Sequence, residues 1–267
     1  MILNFIHWGV KPDLLSIGGL HIRWYGLLFA AGFYVGYLVM TKFFKKEEVP
    51  IPFLDKLAMY MILATVIGAR LGHCLFYEPS YYLKNPIKIL YIWEGGLASH
   101  GAAIAIIIAL YFYFRQTKLN FFWVIDRISI VVALAGTFIR TGNLMNSEIY
   151  GKQTDLPWAF VFTSEDNIPR HPTQIYEAVS YLAIFFLLRW YYYKHDGKPN
   201  NGMIFGMFLT LLFSARFLLE FFKENQVKFE DTLTLNMGQL LSLPFIAGGL
   251  ILIALALRNR LQFDNKK

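Results

Sequence analysis

Seven stretches of nearly uncharged, apolar sequence leave this chain few ways to fold. They run over Trp24–Thr41, Leu57–Tyr77, Leu97–Phe114, Phe121–Phe138, Tyr176–Tyr193, Gly202–Phe222 and Leu240–Leu257. A helix that crosses ~30 Å of hydrocarbon needs about 20 such residues. Only 16% of the 267 residues are charged while 56% are hydrophobic, against roughly 25% charged in an ordinary soluble domain. One soluble core has no room for that much apolar surface, so the bilayer must be the solvent. The expected fold class is all-α: a polytopic membrane protein of about seven transmembrane helices, one domain over 1–267, with longer loops at 78–96 and 139–175.

The formal net charge of +7 does not form the polar basic stripe of a nucleic-acid binder. The cations cluster between apolar runs, as they do at an anionic cytoplasmic leaflet. Thirteen Lys and Arg fall in one set of loops, including Lys42, Lys45, Lys46, Lys56, Arg115, Lys118, Arg189, Lys194, Arg258, Arg260, Lys266 and Lys267, against nine in the other, among them Lys223 and Lys228. That bias puts the N-terminus outside and the C-terminus inside. The single cysteine, Cys74, excludes an intramolecular disulfide and dithiol redox chemistry. The N-terminal stretch is broken by His7, Lys11 and Asp13, so no cleavable signal peptide is expected.

Charge within a span costs a few kcal/mol or more, so each instance needs a reason. Arg216 lies roughly 21 Å along the sixth span, with Glu220 one turn further. Arg70 and His73 hold a similar level on the second span, and His100 lies near the start of the third. Arg140, Asn143 and Glu148 follow the fourth, Tyr25 opens the first, and Glu177 opens the fifth just after Arg170, His171 and Gln174. With alternating spans, all of these approach the same membrane face, and a single polar cavity in the outer half of the bilayer is expected. At the other face there is little beyond Asp126–Arg127, read as an interfacial pair. Structural readings stand beside the functional ones. Arg216 and Glu220 share a helix face and suit an ion pair. Arg70, among Gly68, Ala69 and Gly72, suits close helix packing. Tyr81, Tyr82, Tyr91 and Trp93 suit an interfacial aromatic belt.

Zinc-protease, nucleophile-elbow and phosphate-loop motifs are all missing from the sequence. The polar set offers His, Arg, Asn, Glu and Tyr but no protein nucleophile. Arginine forks grip phosphate and His or Glu accepts a proton, which suits anionic lipid chemistry with the nucleophile brought by a second substrate. A small transporter for an anionic substrate would need polar residues continuing through the inner half. A non-catalytic lipid-binding subunit would have no use for His100 beside the arginines.

The segment Ile139-Arg140-Thr141-Gly142-Asn143-Leu144-Met145-Asn146-Ser147-Glu148-Ile149-Tyr150-Gly151 resembles the signature of the bacterial prolipoprotein diacylglyceryl transferases. So do Ile22–Gly26, Gly95–Gly101, Arg170–Glu177, Arg216–Phe222 and Met237–Gln239, in the family's order. Ile139 replaces a usual Gly, Leu144 a usual Phe, Ala102 a second Gly after the histidine, and Leu212 a Tyr usual before the sixth-span arginine, so the chain resembles a divergent member. The resemblance implies a multi-pass enzyme of the bacterial plasma (inner) membrane. It would transfer the diacylglyceryl group of phosphatidylglycerol to the lipobox cysteine of a prolipoprotein, release glycerol-1-phosphate and require no metal or organic cofactor. It further implies catalytic roles for His100, Arg140 and Arg216, and substrate binding by Arg140, Asn143, Tyr25, Glu148, Gly151 and Glu220. Glu220 would fix the Arg216 fork and Gly151 would permit a tight turn, while the base remains open among His100, Glu148 and Glu220.

Overall fold

A computed structural model describes residues 5–17, 20–92, 95–224, 235–259 and 261. Trp93, Lys228, Arg260, Lys266 and Lys267, used in the sequence reading, lie outside these. The chain divides into two compact units, one of Met1–Val39 with Phe122–Lys267 and one of Met40–Phe121.

A long helix forms at each of the seven apolar stretches: α1 (Trp24–Lys46), α2 (Ile51–Phe76), α4 (Ser99–Thr117), α5 (Phe121–Met145), α6 (Thr173–Lys194), α7 (Met203–Leu219) and α8 (Met237–Leu257). Five are long and apolar enough to cross a membrane: α1, α2, α5, α8, and α7 taken with the 3-10 turn Glu220–Phe222. Polar residues dilute the other two, with Ser99, His100, Arg115 and Gln116 on α4 and Gln174, Glu177 and Arg189 on α6. Short α3 (Pro79–Lys84) and a 3-10 turn at Pro86–Leu90 follow α2.

The described chain is mostly helical, as expected, but five short strands that an all-α reading does not include are also present. β1 (Ile6–Trp8) runs parallel to β4 (Phe160–Phe162), with Ile6 opposite Phe160, and β4 pairs antiparallel with β5 (Pro169–Arg170). β2 (Asp13–Ile17) and β3 (Leu20–Arg23) form an antiparallel pair. Strands of two to five residues are too short for a two-residue alternation to be legible.

In the Met40–Phe121 unit, α2 and α4 meet backbone to backbone. A Cβ on Gly101 would lie 2.3 Å from the Gly68 carbonyl oxygen and 2.6 Å from Gly72 Cα. This is the small-residue packing expected of helices that gain nothing hydrophobic by associating in lipid. Arg70, buried, spends its donors on loop carbonyls. Nε donates to Ile89 O at 2.9 Å, Nη2 to Lys88 O at 2.6 Å and Nη1 to Gly95 O at 2.5 Å, with the guanidinium over the Tyr82 ring. Its structural reading holds, although the contact it makes is with a loop and not with a neighbouring helix.

In the other unit, α6, α7 and α8 pack in series. Asp126 and Arg127 of α5 do more than face each other at an interface. The Asp126 carboxylate accepts from the backbone N–H of Gly202 and of Phe205, each at 2.8 Å. It thus caps α7, whose own N-cap residue is a glycine with no side chain to offer. Arg127 donates to Gly197 O at 2.7 Å and lies near the Trp123 and Tyr192 rings.

Candidate active site

The fourth span extends about two turns beyond the apolar stretch, to Met145, so Arg140 and Asn143 lie on its last turns instead of in the following loop. At i and i+3 they share a face, and Arg140 Nη1 donates to Asn143 Oδ1 at 3.2 Å. Buried Asn143 passes the contact on, with Nδ2 donating to Glu148 Oε1 at 2.8 Å and Asn146 Nδ2 reaching the same oxygen at 3.2 Å. Glu148 itself is exposed. Tyr25, at the start of α1, lies directly over Gly142, where a Cβ would stand 2.8 Å from its ring. The glycine of the motif therefore serves to admit the tyrosine beside Arg140 and Asn143.

Between Asn143 and Gly151 the backbone is strained. Ser147 and Ile149 adopt φ of 54° and 58°, a region that disfavours a β-branched residue above all. Two fully buried side chains at the start of α6 hold it there. Gln174 Nε2 donates to Glu148 O at 2.7 Å and Thr173 Oγ1 to Ile149 O at 2.9 Å. One motif segment thus clamps the other, a relation that sequence order alone does not display. Gly151 is not in a tight turn, contrary to expectation. It forms a single antiparallel bridge with Lys223, its N–H donates to His171 O at 2.9 Å, and an added Cβ would meet Phe222 O at 2.5 Å. Close approach of two chains, not φ, is what excludes larger residues.

Beneath this loop lies a buried charge network. Glu177, with no exposed surface, places Oε2 3.0 Å from Arg140 Nε and Oε1 2.9 Å from Lys223 Nζ. Lys223 also reaches Glu220 Oε2 at 3.4 Å, and the Glu220 carboxylate abuts the first turn of α8 at Gly238. The Tyr181 hydroxyl donates to Glu177 Oε1 at 3.5 Å and lies close to both Arg140 and Arg216. The expected Arg216–Glu220 pair does not form. The sixth-span helix tightens into a 3-10 turn at Glu220, the carboxylate turns to Lys223, and Arg216 has no carboxylate within ion-pair distance among the described residues. Lys223, counted in the sequence reading as a loop cation, is 4% exposed. Its three-residue spacing from Glu220 was the available signal.

The rim is tied by Arg170, which pairs with Asp166 at 2.6 Å and with Glu224, and lies over the Tyr150 ring. The hydrogen bond from Arg170 holds the Asp166 carboxyl below the usual range, and the same bond raises Arg170. Burial alone lowers His171. Lys11, Asp13, Arg23, Asn146 and Glu148 border an open cleft of about 680 Å³, so the Glu148 end of the network faces solvent. Among the described residues no group of three His, Cys, Asp or Glu converges as metal ligands would.

Tyr25, Arg140, Asn143, Glu148, Gly151, Arg216 and Glu220 all belong to the unit containing α5–α8. His100 belongs to the other. It stands exposed on the first turn of α4 with its ring against Phe76 and Tyr77, centroids 5.3 and 5.7 Å away, its position fixed by the Gly101–Gly68 contact next to it.

Comparison with known proteins gives one consistent result. The family model described as prolipoprotein diacylglyceryl transferase matches residues 12–255. A Tolumonas auensis protein is 47% identical over 256 residues, covering 96% of this chain and 99% of its own length. A Chloroherpeton thalassium protein is 48% identical, covering 94% of each chain, and a Porphyromonas gingivalis protein 45% identical, covering 96% of each. All three bear the name phosphatidylglycerol–prolipoprotein diacylglyceryl transferase.

Proposed function

Because the chain belongs to the prolipoprotein diacylglyceryl transferase family, we propose that it moves the diacylglyceryl group of phosphatidylglycerol onto the lipobox cysteine of a prolipoprotein. The observation that carries this reading is a half-buried arginine on the motif helix, Arg140, ion-paired with Glu177 at 3.0 Å and hydrogen-bonded to Asn143 at 3.2 Å, with the half-buried Arg216 near the same Tyr181. The 267 residues act as one catalytic domain crossing the bacterial plasma membrane seven times, N-terminus outside. Seven long helices and the cation clusters at Lys42–Lys46, Arg115–Lys118 and Lys194–Lys198 support that arrangement.

In the reaction the acceptor thiolate attacks the glyceryl carbon, a C–S bond forms and the C–O bond to phosphate breaks. Glycerol-1-phosphate leaves with the electron pair. Arg140 and Arg216 hold the phosphate and stabilise the charge that grows on the departing oxygen, an effect strongest where water is excluded. Asn143 orients the Arg140 fork and joins it to Glu148, while Tyr25 and Gly151 shape the head-group site. A free thiol has a pKa near ~8.5, so its proton must pass to a base. His100 is our first choice, since its imidazole is exposed and holds no hydrogen bond among the described residues; Glu148 and Glu220 are the alternatives. No metal or cofactor takes part in any step.

The test is incubation of purified enzyme with phosphatidylglycerol and a lipobox peptide, followed by mass spectrometry. Wild type should add a diacylglyceryl mass to the cysteine. Arg140→Ala and Arg216→Ala should abolish the adduct while remaining folded, and near-normal turnover would remove the phosphate clamp. His100→Asn should be severely slow near neutral pH, and an unchanged rate would move the base to a carboxylate.

A further inference from the structure

Glu148 stands between Ser147 and Ile149, both at a positive φ that residues other than glycine avoid. A backbone bent this way persists only where its surroundings over-determine it. The Glu148 N–H donates to Asn143 O at 3.1 Å, so the end of α5 fixes the loop from one side. From the other side, Gln174 Nε2 donates to Glu148 O at 2.7 Å and Thr173 Oγ1 to Ile149 O at 2.9 Å. Just beyond, the N–H groups of Gly151 and Thr173 both donate to His171 O at 2.9 Å, which sets the register of the loop against the start of α6.

Stability alone does not account for Gln174. Its side chain is fully buried, yet only the amide nitrogen is satisfied, while Oε1 has no hydrogen-bond partner among the described residues. A lone buried carbonyl carries a cost that an apolar side chain of similar length would remove. What the glutamine supplies, and such a residue could not, is the one donor to Glu148 O. The effect reaches the Glu148 side chain. With its backbone held at both N–H and C=O, Glu148 turns its carboxylate back on α5, where Oε1 accepts from Asn143 Nδ2 at 2.8 Å and from Asn146 Nδ2 at 3.2 Å. Asn143 in turn accepts from Arg140 Nη1 at 3.2 Å. No hydrogen bond reaches Glu148 Oε2 among the described residues, and Glu148 borders the open cleft.

We propose that Gln174 and Thr173 are positioning residues for the diacylglyceryl transfer. They act through the main chain of Glu148 and Ile149 to aim the Glu148 carboxylate at Asn143, and so at the Arg140 end of the head-group site. This rests on the reading of Arg140, Asn143 and Glu148 as substrate-binding groups and names what keeps them in register. Misplacing a binding group by about 1 Å can cost on the order of 100-fold in rate, so two hydrogen bonds to main-chain carbonyls are enough to matter.

The test uses full-length enzyme in detergent with phosphatidylglycerol and a lipobox peptide. Gln174→Met, similar in length but without a donor, should lower kcat/KM for phosphatidylglycerol at least about tenfold. Thr173→Val should lower it too, and Thr173→Ser, which keeps the hydroxyl, should recover most of that loss. Glu148→Ala removes the carboxylate being aimed, so adding Gln174→Met to it should cost less than about twofold more. A purely structural glutamine would give losses that multiply in full. If Glu148→Ala leaves no measurable turnover, the same cycle is read from the Kd for phosphatidylglycerol. A wild-type kcat/KM in Gln174→Met, or full multiplication of the losses, overturns the proposal. Should Gln174→Met fail to fold, Thr173→Val and Thr173→Ser, each with and without Glu148→Ala, decide by the same criterion. Near-normal turnover in Arg140→Ala would instead overturn the phosphate clamp, and the coupling of Gln174 to Glu148 would still be settled by its own cycle.

Discussion

At the scale of single residues, the site depends on contacts too close to tolerate a methyl group. Gly142 is the clearest case, because a Cβ there would stand 2.8 Å from the Tyr25 ring. Overpacking of this kind costs about 1–3 kcal/mol, and here the flexible partner is the side chain that must yield. Gly142→Ala should therefore lower the melting temperature modestly and displace Tyr25. Its loss of transferase activity should overlap that of Tyr25→Ala instead of adding to it. Rates from both single variants and the double variant check this, and full additivity would show that the glycine has another purpose. The residue types of the site were legible in the sequence because charge and amide groups are conspicuous in apolar helices. Their pairing was not. Arg216 and Glu220 have the spacing of an ion pair, yet the helix tightens to 3-10 geometry at Glu220 and a lysine that looked like a solvated loop cation takes the carboxylate.

At the scale of elements, the helices were readable as long apolar runs, but what fixes their ends was not. Asp126 lies 76 residues from Gly202 and caps α7 through two 2.8 Å hydrogen bonds to Gly202 and Phe205 N–H. No local motif announces a cap supplied by another helix. Replacing a capping Asp by Ala costs about 0.5–2 kcal/mol, and here two buried N–H groups are left unpaired, which adds to the loss. Asp126→Ala should lower the melting temperature in detergent clearly more than Asp126→Asn, which keeps one acceptor. Because α7 carries Arg216 well away from this end, activity per folded molecule at low temperature should survive. A variant that is thermally normal but inactive would contradict that division. The short strands escaped the sequence reading for a related reason. They are defined by partners such as β1 on β4, about 150 residues apart in the chain, and not by any internal period.

At the scale of the whole molecule, the proposed membrane topology rests on the positive charges, and the proposed clamp depends on it. Lys45 lies at the end of α1 on the cation-rich side, and Lys152 lies in the segment that carries Gly151 and the strained loop. In the proposed reaction a thiol acceptor on an exported prolipoprotein meets its lipid donor at the external face, which requires the Lys152 side to open outward. In a Cys74→Ser background, Lys152→Cys in intact bacterial cells should react with a membrane-impermeant maleimide. Lys45→Cys should react only after the membrane is permeabilised. Both side chains are exposed, so a difference between them reports sidedness and not burial. The reverse labelling pattern would invert the topology and separate the arginine clamp from the compartment of its acceptor. The chemistry proposed for Arg140 and Arg216 would then lack its second substrate, however well their geometry suits a phosphate.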